Sequence, residues 1–205
     1  GIIKSALSLA VNEFTGKKSA GVQPRTQSDL SMKLILAIII ATLVAILVFF
    51  QFGVLHNWVQ TAVALAIVFV IAFLFTTVAA NAIAIVGSNP VSGMTLMTLI
   101  LSSLVLVSVG LEGESGMIAA LVIGGVVCTA LSMAGGFITD LKVGYWLGTT
   151  PKKQQTWKFV GTFVSAATVA GVMIIMNETY GFTGENALVA PQANAMAAVI
   201  QPLMM

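Results

Sequence analysis

The chain has 205 residues, of which 58% are hydrophobic and only 8% charged, with a formal net charge of +2 and a mean hydropathy of +1.03. Soluble domains carry roughly a quarter charged residues, and no Asp, Glu, Lys or Arg occurs between Lys33 and Glu112, so too little polar surface remains to cover a water-soluble globule. The apolar runs are continuous and do not alternate, which argues against a β-barrel and leaves an all-α, polytopic transmembrane helical bundle.

Residues 1–31 are expected to form a cytoplasmic amphipathic segment and linker. "GIIKSALSLAVNEF" spaces its apolar residues at roughly helical intervals around Lys4 and Glu13, as an interfacial helix does. "TGKKSAGVQPRTQSD" reads as a polar linker, with Ser28 or Asp29 placed to cap the next helix. The transmembrane region then occupies 32–205, with about six spans near 32–53, 58–86, 94–110, 117–139, 158–177 and from 195 onward. Trp58 is suited to anchor an interface. Between the fourth and fifth spans lies the polar stretch "TDLKVGYWLGTTPKKQQTWK", and between the fifth and sixth lies "NETYGFTGENALVAPQAN". The chain begins at Gly1 and reaches Met205 inside an apolar run, as expected of a piece of a longer membrane protein.

Alternating crossings put residues 1–31, the start of the first span with Lys33, and 140–158 on one side, and all nine Lys and Arg residues fall there. The excess of positive charge on cytoplasmic loops makes that side the cytoplasm. Glu112, Glu114, Glu178 and Glu185 fall on the other side, which supports the same topology.

Within the apolar region, "GSNPVSGM" (87–94) is a break that carries no charge. Pro90 removes a backbone donor and clashes with a continuing helix, while Gly87 and Gly93 permit conformations closed to other residues. Two readings stand. The motif is a tight helix–helix turn at the membrane surface, or it is a broken or re-entrant segment near 87–93 whose free backbone groups meet a ligand. The second reading makes Asn81, Asn89, Pro90, Ser92, Gly93 and Thr95 substrate-pathway candidates. Gln192 and Asn194 join them from the second Pro-containing break, "LVAPQAN", which approaches from the opposite face. Hydroxyls and amides in membrane helices commonly bond their own backbone, so each is weighed against that role. Asp140 is the candidate for ion coupling, since carboxylates beside a membrane cavity relay protons; the competing roles are a helix end or a salt bridge to Lys142.

No enzyme constellation is visible. Cys128 is the single cysteine and reads as a small buried hydrophobe; His56 reads as a polar turn residue. No His/Cys spacing suits a metal and no phosphate-binding glycine loop with Lys-Ser/Thr occurs, so no cofactor is expected. Topology accounts for the basic residues, and nucleic acid is not an expected partner. Gly124, Gly125, Gly135, Gly136, Gly161 and Gly171 are read as sites of close helix packing.

Three segments together resemble the oligopeptide transporter (OPT) family, which includes the yellow stripe-like metal-chelate transporters: "GSNPVSGMTLMTL" (87–99), "ITDLKVGYWLGTTPKKQ" (138–154) and "LVAPQANAMA" (188–197). The middle segment is the most specific, being similar to the family's Asp-x-Lys-x-Gly-Tyr stretch with a following Pro-Lys/Arg-x-Gln run. The pattern is nearer to prokaryotic members, which implies a plasma membrane. The resemblance implies a secondary transporter of about sixteen spans, usually proton-coupled, for small peptides or metal chelates. Its partners would be the remainder of the same chain, a peptide or chelate substrate, the proton and membrane lipid. A noncatalytic membrane-anchoring or assembly subunit of a larger complex is the alternative of a different class.

Overall fold

In the computed structural model, Ser8, Val11 and residues 25–89, 91–182 and 191–205 are described; most of the expected amphipathic segment lies outside them. Six α-helices and no strand occur among the described residues: α1 Met32–Phe49, α2 Trp58–Val86, α3 Val91–Ser108, α4 Gly113–Trp146, α5 Pro151–Thr179 and α6 Pro191–Met204. Among the described residues, four apolar stretches are long enough to cross a membrane: Met32–Leu55, Trp58–Val86, Gly113–Trp146 and Pro151–Thr179. The fold is the all-α membrane bundle that uninterrupted apolar runs dictate.

A short 3₁₀ turn, Arg25–Gln27, precedes α1. Ser31 stands at the N-cap of α1 in extended backbone but contributes no side-chain bond. Asp29 caps nothing; its carboxylate accepts a hydrogen bond from Gln155 Nε2 at 3.0 Å, because the segment before α1 turns to lie along the start of α5. α1 continues into a π-helical turn, Phe50–Leu55. The extra residue of that turn accompanies the burial of Phe50 and Gln51, and Thr61 Oγ1 donates to Gln51 Oε1 at 2.9 Å. The chain reverses at His56, which adopts left-handed backbone with φ 55°. Asn57 then caps α2, its Oδ1 accepting from Val59 N at 3.0 Å, as Asn does in the N-cap position.

The 34-residue helix α4 is the hub. It packs against α2, α3, α5, α6 and the π-helical turn. The main core cluster gathers Phe50, Ile67, Leu99, Leu106, Ile123 and Ile200 with their neighbours; a second joins Ala79 and Ile83 of α2 to Val127 and Leu131 of α4. Glycines of α4 set these approaches. A Cβ on Gly124 would come within 2.5 Å of Leu99 Cδ2. One on Gly116 would meet Leu111 O at 2.7 Å and Met204 Cε at 2.8 Å, so the end of α6 is docked at the start of α4.

The polar stretch between the fourth and fifth expected spans is helical over most of its length. Only Leu147–Thr150 leaves the helical path, because Gly148 takes φ 68° and Pro151 opens α5, where a missing N–H costs nothing. α4 and α5 thus form a helical hairpin whose ends extend beyond their apolar segments.

Gly116→Ala places a methyl group against a backbone carbonyl that cannot rotate away, and overpacking of this kind costs about 1–3 kcal/mol. A Cβ on Gly125 would find nothing within 4 Å, so Gly125→Ala is expected to leave stability unchanged or raise it by up to about 1 kcal/mol. Thermal unfolding of the purified variants in one detergent measures both.

Candidate substrate-pathway site

α2 ends because Gly87 takes left-handed backbone, φ 79°, with its N–H bonded to Ile83 O. That is a glycine C-cap. Val91 opens α3 four residues later, so the uncharged motif does break the helix. Pro90 and the side chain of Ser92 lie outside the described residues. The exposed side chain of Asn89 lies over Gly135 of α4: its amide nitrogen and carbon occupy the space a Cβ would fill there, with Ile83 Cδ1 at 3.0 Å from that position. The Asn89 amide has no hydrogen-bond partner among the described residues. Gly93 faces open space.

The remaining polar candidates are committed to their own helices. Asn81 Nδ2 donates to Thr77 O at 3.1 Å, and Thr95 Oγ1, on a buried side chain, donates to Val91 O at 2.7 Å. Thr77, Thr129 and Thr139 likewise donate to carbonyls three or four residues back. Gln192 and Asn194 are exposed near the start of α6. The buried part of that helix, Ile200 and Met204, enters the core at Gly116, the end of α4 remote from Gly135. The structure therefore brings Asn89 and Gly135 together at one end of the bundle and gives no contact joining them to Gln192 or Asn194.

Asp140 stands five residues beyond Gly135, about 7.5 Å along α4. Its Oδ2 accepts from Lys158 Nζ at 2.7 Å, while its main-chain carbonyl accepts from Gln154 Nε2 at 3.3 Å. The expected partner, Lys142, instead places its ammonium 5.9 Å from the centre of the Trp146 ring, a cation–π arrangement. The sequence reading missed Lys158, Gln154 and Gln155. A signal for two of them existed: 140 and 158, like 144 and 154, stand equally far on either side of Thr149 in the turn, as partners across an antiparallel hairpin do. The Gln154 amide accordingly lies against Gly144.

The segment before α1 is fastened to the same end. Arg25 Nη2 donates to Gly148 O at 3.0 Å, Lys152 N to Ser28 O at 2.9 Å and Leu30 N to Gln155 Oε1 at 2.7 Å. Residues 25–30 and 148–155 therefore share one end of the bundle, with the break at Gly87 on that end of α2.

The family profile described as OPT oligopeptide transporter protein matches residues 3–205. A protein of Haemophilus influenzae (strain ATCC 51907 / DSM 11121 / KW20 / Rd) named "Putative oligopeptide transporter" is 31% identical over 204 residues, covering 86% of this chain and 32% of that protein. The chain thus spans about a third of that relative's length. No solved structure matches it.

The Asp140–Lys158 pair has side-chain exposures of 54% and 32%, so solvent screens it. A double-mutant cycle with Asp140→Ala and Lys158→Ala is expected to give a coupling energy of about 0.2–1 kcal/mol in thermal unfolding; a value several-fold larger would mean that the pair is shielded from water.

Proposed function

The chain belongs to the OPT oligopeptide transporter family, and on that basis we propose that it forms part of a secondary active transporter moving small peptides or metal-chelate-like substrates across a prokaryotic plasma membrane, coupled to protons. The family match along nearly the whole chain carries this reading. The protein is an integral membrane protein of a transport family, and the substrate class, coupling ion and membrane are the proposal's own content.

In this reading residues 87–95 line the substrate pathway. Support comes from Asn89, whose amide is exposed and unbonded at a helix break and rests on a glycine of the central helix. An amide supplies both a donor and an acceptor, which suits the peptide bond of a substrate. Asp140 is the coupling group. Protonation removes its charge and releases Lys158, loosening the α4–α5 hairpin one and a half turns from the Asn89 seat. The end of the bundle bearing Arg25, Lys152, Lys153 and Lys158 faces the cytoplasm under the charge rule, and its two basic segments are held together by the hydrogen bonds between residues 25–30 and 148–155.

The test is peptide uptake by the full-length chain in proteoliposomes under an imposed proton gradient. Asn89→Ala is expected to weaken peptide binding about two- to thirteen-fold, the range for one neutral hydrogen bond of about 0.5–1.5 kcal/mol, with folding intact. Asp140→Asn is expected to abolish gradient-driven uptake while leaving counterflow exchange in place. Unchanged binding in the first variant removes the pathway assignment, and unchanged uptake in the second removes the coupling role.

The sidedness is checked separately. A cysteine introduced as Thr150→Cys in the full-length chain is expected to resist a membrane-impermeant thiol reagent in intact cells and to react after permeabilisation. Ready labelling in intact cells would reverse the orientation.

A further inference from the structure

At the basic end of the bundle, the segment before α1, the start of α1, α4 and α5 line an open cavity of about 300 Å³, at the lower limit of pockets that take small ligands. Its walls are almost wholly apolar, formed by Leu30, Ile35, Met133, Ala134, Phe137 and Phe159. The polar groups that reach it are mostly occupied. Gln155 accepts from Leu30 N and donates to Asp29, and Thr162 Oγ1 donates to Lys158 O at 2.7 Å. A peptide or a water cluster would find few partners inside, whereas an apolar chain loses nothing by entering.

The mouth is different. Lys158 lines this cavity and also the adjoining polar recess that holds Asp140 and Gln154. Its bond to Asp140 uses one of the three donors of an ammonium group. Lys152 stands on the same face of α5 as Gln155 and Phe159, by the three- and four-residue spacing of helix neighbours. Arg25, Lys33, Lys152, Lys153 and Lys158 belong to the segments around this end, against the carboxylates of Asp29 and Asp140. Cations are therefore in excess where apolar helices give way to polar chain, which is the depth of lipid headgroups, and such clusters attract anionic lipid.

We propose that this cavity is a binding site for an acidic phospholipid of the bilayer, with one acyl chain between α1, α4 and α5 and the phosphate against Lys152 and Lys158. The site is separate from the Asn89 seat and shares Lys158 with the Asp140 pair, and lipid retention is read without any transport measurement. A lipid held there bridges the segment before α1 to the α4–α5 hairpin.

The test uses the full-length protein in mild detergent, with bound lipid counted by native mass spectrometry during titration with phosphatidylglycerol, phosphatidylcholine or inorganic phosphate. The wild type is expected to retain phosphatidylglycerol several-fold more strongly than phosphatidylcholine, with inorganic phosphate failing to displace it. Ala134→Phe, which fills the cavity, is expected to hold one phosphatidylglycerol fewer per chain, and Lys152→Gln to bring the two lipids close to parity. Ala134→Leu intrudes less and gives the same reading if the phenylalanine variant does not fold. Equal retention by the cavity-filled variants overturns the proposal, as does equal retention of phosphatidylcholine by the wild type. Displacement by inorganic phosphate would overturn it too, by reducing the site to a simple anion site. Cross-linking of Ala134→Cys to another part of the chain, or to a second copy, would show that protein fills the cavity and would also overturn it.

Discussion

Close approach to the bare backbone of α4 holds this bundle together. In a bilayer, lipid tails compete with leucine for apolar contact, so helices associate where small residues let them come nearer than lipid can. Leu99, Asn89 and Gln154 each put side-chain atoms where a Cβ of Gly124, Gly135 or Gly144 would stand. Gly124 and Gly135 are eleven residues apart, about three helical turns, and so share a face. Gly144 is nine residues further, about two and a half turns, and faces the opposite way. One helix thus receives α3 and the α2–α3 break on one side and the hairpin partner α5 on the other.

That arrangement leaves many hydroxyls within an apolar bundle, and their bonding explains why the bundle tolerates them. Thr95, Thr98, Ser102 and Ser103 of α3 are all buried, and each donates to a carbonyl three or four residues earlier. No buried side-chain nitrogen or oxygen among the described residues lacks a partner. Polarity inside the bundle is therefore mostly spent within single helices, and the cross-helix polar contacts collect at the end where α4, α5 and the segment before α1 meet. The exception is Gln51 with Thr61, where the π-helical turn brings a glutamine to face the next helix.

The helical class and the break at Gly87 were legible because each rests on a strong local signal: uninterrupted apolar runs in one case, glycine beside Asn-Pro in the other. The π-helical turn was not, since "FQFGVL" continues an apolar run with nothing to mark a change of hydrogen-bond register. Helix ends beyond the apolar segments were also hidden. Hydropathy reports where hydrocarbon stops, whereas α4 continues as helix to Trp146 and α5 begins at Pro151. The partner of Asp140 was misjudged for a related reason. Lys142 is nearer in sequence, but a two-residue offset places side chains on different sides of a helix, and Lys158 becomes the neighbour only once the hairpin is seen to run helically on both sides of its turn. The place of Asn89 beside the break was legible and its seat on Gly135 was not, because a contact across distant segments has no local signature.

The fastening of α5 has a mechanical consequence. Its hydrogen bonds to the rest of the chain end at Thr162 among the described residues, and none of its residues is buried. The helix is gripped over its first three turns and extends as a beam for a further seventeen residues, about 25 Å at 1.5 Å per residue. A rotation of roughly ten degrees at the grip would carry its far tip about 4–5 Å sideways. The Asp140–Lys158 contact lies at the gripped end of that helix.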